Sequence, residues 1–234
     1  MYHVESNFTY PKMYKVRQHL NSEKLADINK TVYDELDAIG IGEKIKKDSE
    51  IAVCAGSRGI NNIDKIVKAA VDYVKDHGGK PFIVPAMGSH GGATADGQIH
   101  VLEKYGISEE TMGCEIRSDM EPVYLGDAEN GAPVYFDKNA YGAAGIIVVN
   151  RVKPHTDFLA ENESGVVKMC AVGLGKEKGA TAMHGYNLGE TIPLSFKVSL
   201  KKAPYLAGLA IIENSMDETR SEERRVGKEC RSRW

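Results

Sequence analysis

The 234-residue sequence lacks several features that would assign it to a well-marked class of protein. No apolar run approaches the roughly 18 residues of a membrane span. The polar N-terminus, MYHVESNFTYPKMYKV, is not that of a signal peptide. Neither GxxxxGK[ST] nor HExxH occurs, which excludes a Walker A loop and a common zinc hydrolase motif. We therefore expect a cytoplasmic protein that has no membrane span and does not hydrolyse nucleoside triphosphates.

Cysteine is also scarce, and basic residues are not in excess. Outside residues 220–234, Cys54, Cys114 and Cys170 show no CxxC spacing, and this pattern indicates reduced thiols rather than a disulfide framework. We expect Cys170 to be a buried structural thiol, with a role in metal binding as the alternative. The formal net charge is −3, with 30 Lys and Arg against 33 Asp and Glu. Such an acidic chain has no electrostatic footprint for nucleic acid.

Residues 220–234, RSEERRVGKECRSRW, differ in character from the rest and contain the only tryptophan. The string reads as one frame of a translated sequencing adapter, and such sequence is excluded from fold reasoning. A basic tail that binds nucleic acid is the alternative. We therefore interpret residues 1–219 and expect them to be a truncated fragment of the gene product. We also expect the chain after Asn214, including this tail, to be disordered.

The order of apolar segments predicts an open, mostly parallel α/β sheet with helices on both faces. Short apolar runs alternate with segments of helical periodicity, and strand–helix–strand order implies parallel neighbours joined by right-handed crossovers. The run at 143–150 is apolar enough to be central. The first helix is expected to begin with Ser22 as its N-cap. The predicted strands are 50–55, 81–87, 122–125, 132–136, 143–150 and 206–214, and the predicted helices are 22–38, 63–77, 95–104 and 165–174.

Three polar loops follow predicted strands. SRGIN comes after Ala55, GSHGG after Met87 and RVKPHTD after Asn150. In open parallel sheets, ligands bind outside the carboxyl ends of the strands. We therefore expect the three loops to converge on one edge of the sheet.

Four side chains in turn-prone sequence suggest an active site, namely His90, His155, Lys168 and His184. Imidazole moves protons near neutral pH and binds borderline metals, and a lysine amine can bond covalently to an organic cofactor. The alternative for each histidine is a solvated loop residue. Arg58, beside two glycines at a helix start, suits a bound anion or is a surface arginine. Lys176, in GLGKEKG, is expected to be solvated or to contact a cofactor phosphate. Together these residues predict a site with a metal and a tethered organic group.

The order and spacing of these residues resemble the nickel-dependent lactate racemase family, through its N-terminal domain. That family has an arginine loop after one strand, a histidine after the next and a second histidine after a later strand. A lysine follows within SGxxK, and a last histidine lies 16 residues beyond it. The positions are filled here by Arg58, His90, His155, Lys168 and His184, and the likeness covers roughly residues 20–219. The resemblance implies that residues 1–219 form an N-terminal catalytic domain whose C-terminal partner domain is missing.

The resemblance implies a racemase or epimerase that acts on a small 2-hydroxy acid. Lys168 would carry a nickel-pincer nucleotide, a nickel pyridinium-thioamide mononucleotide, as a thioamide, and His184 would bind the nickel. His90 and His155 would be the two acid/base groups, one for each face of the substrate, and Arg58 would pair with the substrate carboxylate. Cofactor-assembly proteins would be required as partners.

The sequence departs from the family pattern at Ala55, where lactate-racemising members have aspartate, at Val167, and at Gly91–Gly92 after the second-loop histidine. These departures indicate a divergent branch whose substrate is another 2-hydroxy acid or a sugar acid. Two alternatives remain open. One is a non-catalytic metal- or phosphate-binding module of the same fold, and the other is a histidine–metal hydrolase.

Overall fold

A computed structural model describes residues 11–20, 22–57, 59–155, 159–160 and 162–220. Its centre is a five-stranded sheet in the order β2-β1-β5-β6-β7, beside a separate β3-β4 hairpin. The first four strands of the sheet are parallel, whereas β7 runs antiparallel to β6. The strands are β1 Glu50–Ala55, β2 Lys80–Pro85, β3 Pro122–Asp127, β4 Pro133–Asp137, β5 Gly145–Arg151, β6 Tyr205–Glu213 and β7 Thr219–Arg220.

Helices cover both faces of this sheet, as the sequence predicted. Short 3-10 turns occur at Gly42–Lys44 and Gly91–Ala93, and a π-helical turn at Met169–Gly173. The α-helices are α1 Ile28–Ala38, α2 Ile63–Asp76, α3 Ala95–Lys104, α4 Glu109–Met112, α5 Lys138–Gly142, α6 Gly165–Lys168, α7 Lys176–Met183 and α8 Leu188–Lys202.

The central strands are apolar because both of their faces are buried. Ile51 and Val53 of β1 point into a core shared with α1, α2 and α3. Ala52 and Cys54 point into a second core, built with the β3-β4 hairpin and α8. Side chains alternate across a strand, so a strand covered on both faces reads as a continuous apolar run. β5 lies between β1 and β6, which confirms its predicted central position.

The first helix begins later than predicted. Asp27, rather than Ser22, is its N-cap, and the Asp27 side chain accepts a hydrogen bond from the Lys30 amide at 2.9 Å. The Leu25 amide instead donates to the Thr219 carbonyl at 2.9 Å. A carboxylate cap satisfies a free helical N–H, and the preceding segment bonds to the last strand of the sheet.

Four of the described α-helices were not predicted, the short α4 and α5 and the longer α7 and α8. α8 contains Pro193, and its buried face carries Thr191, Ser195 and Ser199 beside Ile192. The Thr191 hydroxyl donates to the Asn187 carbonyl at 2.7 Å within the helix. Because small polar residues take positions that are normally apolar, the sequence shows no apolar stripe there.

Residues 215–220 correct the expectation that the chain is disordered after Asn214. The chain turns at 214–218, and β7 pairs with β6 through Ile212 with Arg220 and Glu213 with Thr219. The backbone of a strand edge is satisfied by this pairing. The rest of the predicted tail, 221–234, lies outside the described residues. In the described part of the chain, no helix has the length and apolar character needed to cross a membrane.

Candidate functional site

The loops after β1, β2 and β5 meet at the carboxyl-terminal edge of the sheet, as predicted, around a cavity of about 380 Å³. The four candidate side chains at His90, His155, Lys168 and His184 all line it. They come from four different segments of the chain and are brought together by the sheet topology. Arg58 lies outside the described residues.

The His90 loop packs against the end of β1 and the start of α3. The Ser57 hydroxyl shares a short hydrogen bond with His90 Nδ1. Gly91 has a φ of +67°, and a Cβ there would lie 2.5 Å from the Gly97 carbonyl carbon. Glycine is therefore required by both the backbone conformation and the close approach to α3. The hydrogen bond with Ser57 and the close packing of Gly91 on α3 therefore hold the His90 loop in place.

The His155 loop is fastened to the segment that leads into α6. The Glu163 carboxylate accepts the His155 amide at 2.8 Å and the Ala160 amide at 3.1 Å. These backbone hydrogen bonds, chiefly the one from His155, hold the pKa of Glu163 below its usual value. The Lys153 amide donates to the Ser164 hydroxyl at 2.7 Å, and that hydroxyl donates to the Lys153 carbonyl. The β5 loop and the Lys168 segment therefore form one hydrogen-bonded unit.

Lys168 is the last residue of α6 and directly precedes the π-helical turn. Single π-helical turns often occur at functional sites because they displace side chains from the regular helical face. Gly165 opens α6 with a φ of +80°, and its carbonyl accepts a hydrogen bond from Asn150 Nδ2 at 3.1 Å. At the other end of this segment, the Gly173 carbonyl accepts the Gly88 amide at 2.9 Å. Lys168 is half-buried at the cavity wall.

His184 caps the C-terminus of α7 and points its ring back along the helix. Its Nδ1 lies 2.6 Å from the Ala180 carbonyl oxygen. A carbonyl can only accept, so Nδ1 carries the proton, and in the neutral ring Nε2 keeps its lone pair. This carbonyl-bonded arrangement is typical of histidines that bind metals through the second nitrogen.

Sequence reasoning missed Arg151, a cation in the cavity wall. Its guanidinium pairs with the Glu213 carboxylate, which also accepts the Asn61 amide at 2.7 Å. The motif RVKPH gave a signal, since Arg151 immediately precedes the loop that holds His155. The partner Glu213 could not be read from the sequence, because only the β5-β6 pairing brings it near. The pair offsets the positive charge of Arg151.

Cys170 and Lys176 do not line the cavity within the described residues. Cys170 is buried, and burial raises the pKa of its thiol to about 12. The prediction of a buried structural thiol is thereby confirmed. Lys176 is fully buried and ion-paired, which corrects the expectation that it is solvated or contacts a cofactor phosphate.

Elsewhere among the described residues, the candidates for a metal or ligand site are weaker. Among the described residues, no group of three or more His, Cys, Asp or Glu could hold a metal ion. A larger cavity of about 640 Å³ lies between the starts of α1 and α2, remote from the four candidate residues. It is lined by lysines and acidic residues in mixture, such as Lys65, Asp72 and Glu218.

The structure is that of an open, mostly parallel α/β protein with a cavity at the carboxyl-terminal edge of its sheet, where such folds bind ligands. Its structure is similar to that of the lactate racemase apoprotein from Thermoanaerobacterium thermosaccharolyticum, with a TM-score of 0.60 and 14% sequence identity. The match covers 84% of this chain and 51% of that one, so this chain spans about half its length. At this level of identity the likeness establishes the fold. No family of known proteins and no curated protein matches the sequence.

Proposed function

We propose that this chain carries the catalytic domain of a nickel-dependent racemase or epimerase of a small 2-hydroxy acid or sugar acid. One observation carries the proposal. His90, His155, Lys168 and His184, drawn from four segments, line a single cavity. The cavity volume of about 380 Å³ lies in the range of small-molecule sites. The fold likeness to a lactate racemase apoprotein gives separate support.

Two side chains fit a tethered nickel-pincer nucleotide. Lys168 stands half-buried at the cavity wall, where its amine can form a covalent bond to the group. His184, with Nδ1 bonded to the Ala180 carbonyl, keeps Nε2 for the nickel. A single protein ligand is enough if the pincer supplies the remaining donors. Loading Lys168 would require cofactor-assembly proteins, and we place the protein in the cytoplasm.

His90 and His155 would move protons at the substrate hydroxyl. One imidazole takes the hydroxyl proton from one enantiomer, and the other returns a proton on the opposite face. When bound, the nickel-pincer nucleotide supplies the capacity to take up and return the C2 hydride. Inversion needs a base on each side of the substrate, and the two histidines lie on loops from different strands. The hydrogen bond between Ser57 and Nδ1 orients the His90 ring.

Arg58 is proposed to hold the substrate carboxylate. Arg151 is already paired with Glu213, so its charge is less available to an anion. A guanidinium at the end of β1 would bind a carboxylate through two parallel hydrogen bonds and fix the position of C2.

The decisive test is the mass of the peptide that carries Lys168, after co-expression with nickel-pincer assembly proteins. We expect a mass increase on that peptide and nickel bound to the protein. Lys168→Ala should abolish the mass increase, whereas Lys178→Ala, at an exposed position, should not. An unmodified Lys168 in folded protein would overturn the proposal.

A non-catalytic metal-binding module of the same fold is the second candidate. Ala55 favours it, because this position is fully buried and apolar where lactate-racemising relatives have an aspartate. A protein that carries the adduct and binds nickel, yet interconverts the stereoisomers of no 2-hydroxy acid, would support this candidate.

A further inference from the structure

Lys176 is a fully buried cation outside the cavity. Its Nζ lies 2.9 Å from Asp137 Oδ2 and donates to the Pro85 carbonyl at 2.7 Å and to Gln98 Oε1 at 3.2 Å. The ammonium group thus donates two hydrogen bonds and forms an ion pair with the Asp137 carboxylate. Lys176, Asp137, Gln98 and the Pro85 carbonyl form what we call the Lys176 network.

The backbone at Lys176 is also unusual. Its φ of +55° lies in the left-handed region, which side chains other than glycine rarely adopt. The strain is held at the first residue of α7, where the side chain turns inward beneath the end of β2. Such strain persists only when the surrounding contacts fix it.

The network continues to the His90 loop through Gln98. Gln98 is fully buried on α3, and its Nε2 donates to the Gly88 carbonyl at 2.8 Å and to the His90 carbonyl at 3.4 Å. Its Oε1 is the group that Lys176 holds. The ammonium therefore fixes which way the amide of Gln98 faces, and that amide fixes two carbonyls of the loop.

Stability alone does not account for this arrangement. Replacing a buried ion pair by packed apolar residues is often neutral or stabilising, since desolvation of two charges offsets their attraction. The network also determines the orientation of the Gln98 amide. An ammonium group can only donate hydrogen bonds, so the amide oxygen must face Lys176 and the amide nitrogen must face the loop.

We propose that Lys176 is a positioning residue that holds the His90 loop through Gln98. Asp137 pairs with the ammonium group through Oδ2, and its Oδ1 also accepts the Ala140 amide at 2.8 Å. The value of this to turnover rests on the proposed acid/base function of His90. The positioning itself does not, and it can be measured in protein without cofactor.

The test is hydrogen–deuterium exchange at 88–93, together with the imidazole titration of His90 followed by NMR. Gln98→Leu removes the link to the loop and leaves the ion pair. Lys176→Met combined with Asp137→Asn removes both buried charges and keeps an acceptor for the Ala140 amide. We expect both variants to speed exchange at 88–93 by roughly tenfold, as for loss of a buried hydrogen bond, and to shift the His90 titration.

His100→Gln, at an exposed position on the same helix, is the matched control and should leave both readouts unchanged. Exchange across α8 serves as the internal reference for global stability. Folded Gln98→Leu protein with unchanged exchange at 88–93 and an unchanged His90 titration would overturn the proposal, whatever the double variant does. Because neither readout requires turnover, failure here is distinct from an unmodified Lys168, which would instead overturn the proposed function.

Discussion

The two histidine loops of the cavity are held by different means. Behind His90 lie the fully buried side chains of Lys176 and Gln98, whereas the His155 loop is fastened by Glu163 and Ser164, which are half-buried. A buried charge network is costly to break, because any group left unpaired retains its desolvation penalty. Hydrogen bonds at a half-exposed carboxylate compete with water. We infer that the His155 loop opens at lower free energy than the His90 loop.

Under the proposed function, this difference would give the site one acid/base histidine in a rigid position, His90. The second histidine, His155, would lie on the loop that opens more easily. The two loops share a neighbour, since the Glu163 and Ser164 segment leads directly into the helix that ends at Lys168.

The largest expected effect is loss of proton transfer at either histidine. His90→Ala and His155→Ala, in protein modified on Lys168, should each lower the rate of racemisation by about 10²–10⁴-fold, as for removal of an acid/base group. Both should retain nickel, whereas His184→Ala should lose it, because only that change removes the proposed protein ligand. Chiral analysis of the 2-hydroxy acid and metal content measure the two outcomes. Loss of nickel in all three variants would point to a three-histidine metal site instead.

Removing only the cation of the Lys176 network should lower the free energy of unfolding more than any change at the His155 loop. Lys176→Met alone leaves Asp137 buried without its cation, and removing one partner of a buried pair costs about 3–5 kcal/mol. Denaturation in urea gives the free energy of unfolding. Lys178→Met, two residues along and exposed, is the control and should change it little. Equal stability in the two variants would show that the buried pair is not coupled to the fold.

Removing the Ser57 hydroxyl should have an intermediate effect. Ser57→Ala deletes the hydrogen bond with His90 Nδ1 and leaves the ring less well oriented. The transition state should lose about 1 kcal/mol of stabilisation, the net contribution of a typical hydrogen bond. We expect a drop in kcat with KM nearly unchanged and bound nickel retained. Ser89→Ala, at an exposed position in the same cavity wall, provides the comparison. Equal kinetics for the two variants would show that Ser57 does not orient His90 for the reaction.

The smallest effect is expected at the His155 loop, and it should depend on pH. The hydrogen bonds from His155 and Ala160 hold the pKa of Glu163 below its usual 4.5. The stabilisation they provide is therefore present above about pH 4.5 and is lost as the pH falls through the lower folded-state pKa. Hydrogen exchange at 152–155 should speed up over that range, while exchange at 88–93 stays unchanged.

Glu163→Gln should reproduce the low-pH behaviour at neutral pH, because a neutral amide cannot accept both backbone amides as strongly as a carboxylate. A matched change at Glu177, which is exposed on α7, should have no such effect. If the two loops respond to pH alike, the contrast between a buried and a half-exposed support is wrong.

Much of this architecture follows from the sequence. Alternating apolar runs and helical periods determined the strands β1, β2, β5 and β6 and placed three loops at one edge of a parallel sheet. Buried strands are easy to identify in the sequence, because a strand that is buried on both faces contains few polar residues. The spacing of His90, His155, Lys168 and His184 was likewise visible in the sequence.

Other features were decided only by tertiary structure. The buried face of α8 carries Thr191, Ser195 and Ser199, so periodicity alone could not show a helix there. In the same way, Lys176 has the sequence appearance of a solvated lysine in GLGKEKG. Its burial depends on acceptors at Pro85, Gln98 and Asp137, which are distant in the chain. A charge can be buried only where partners converge from several elements, and that convergence is a property of the fold rather than of any local pattern.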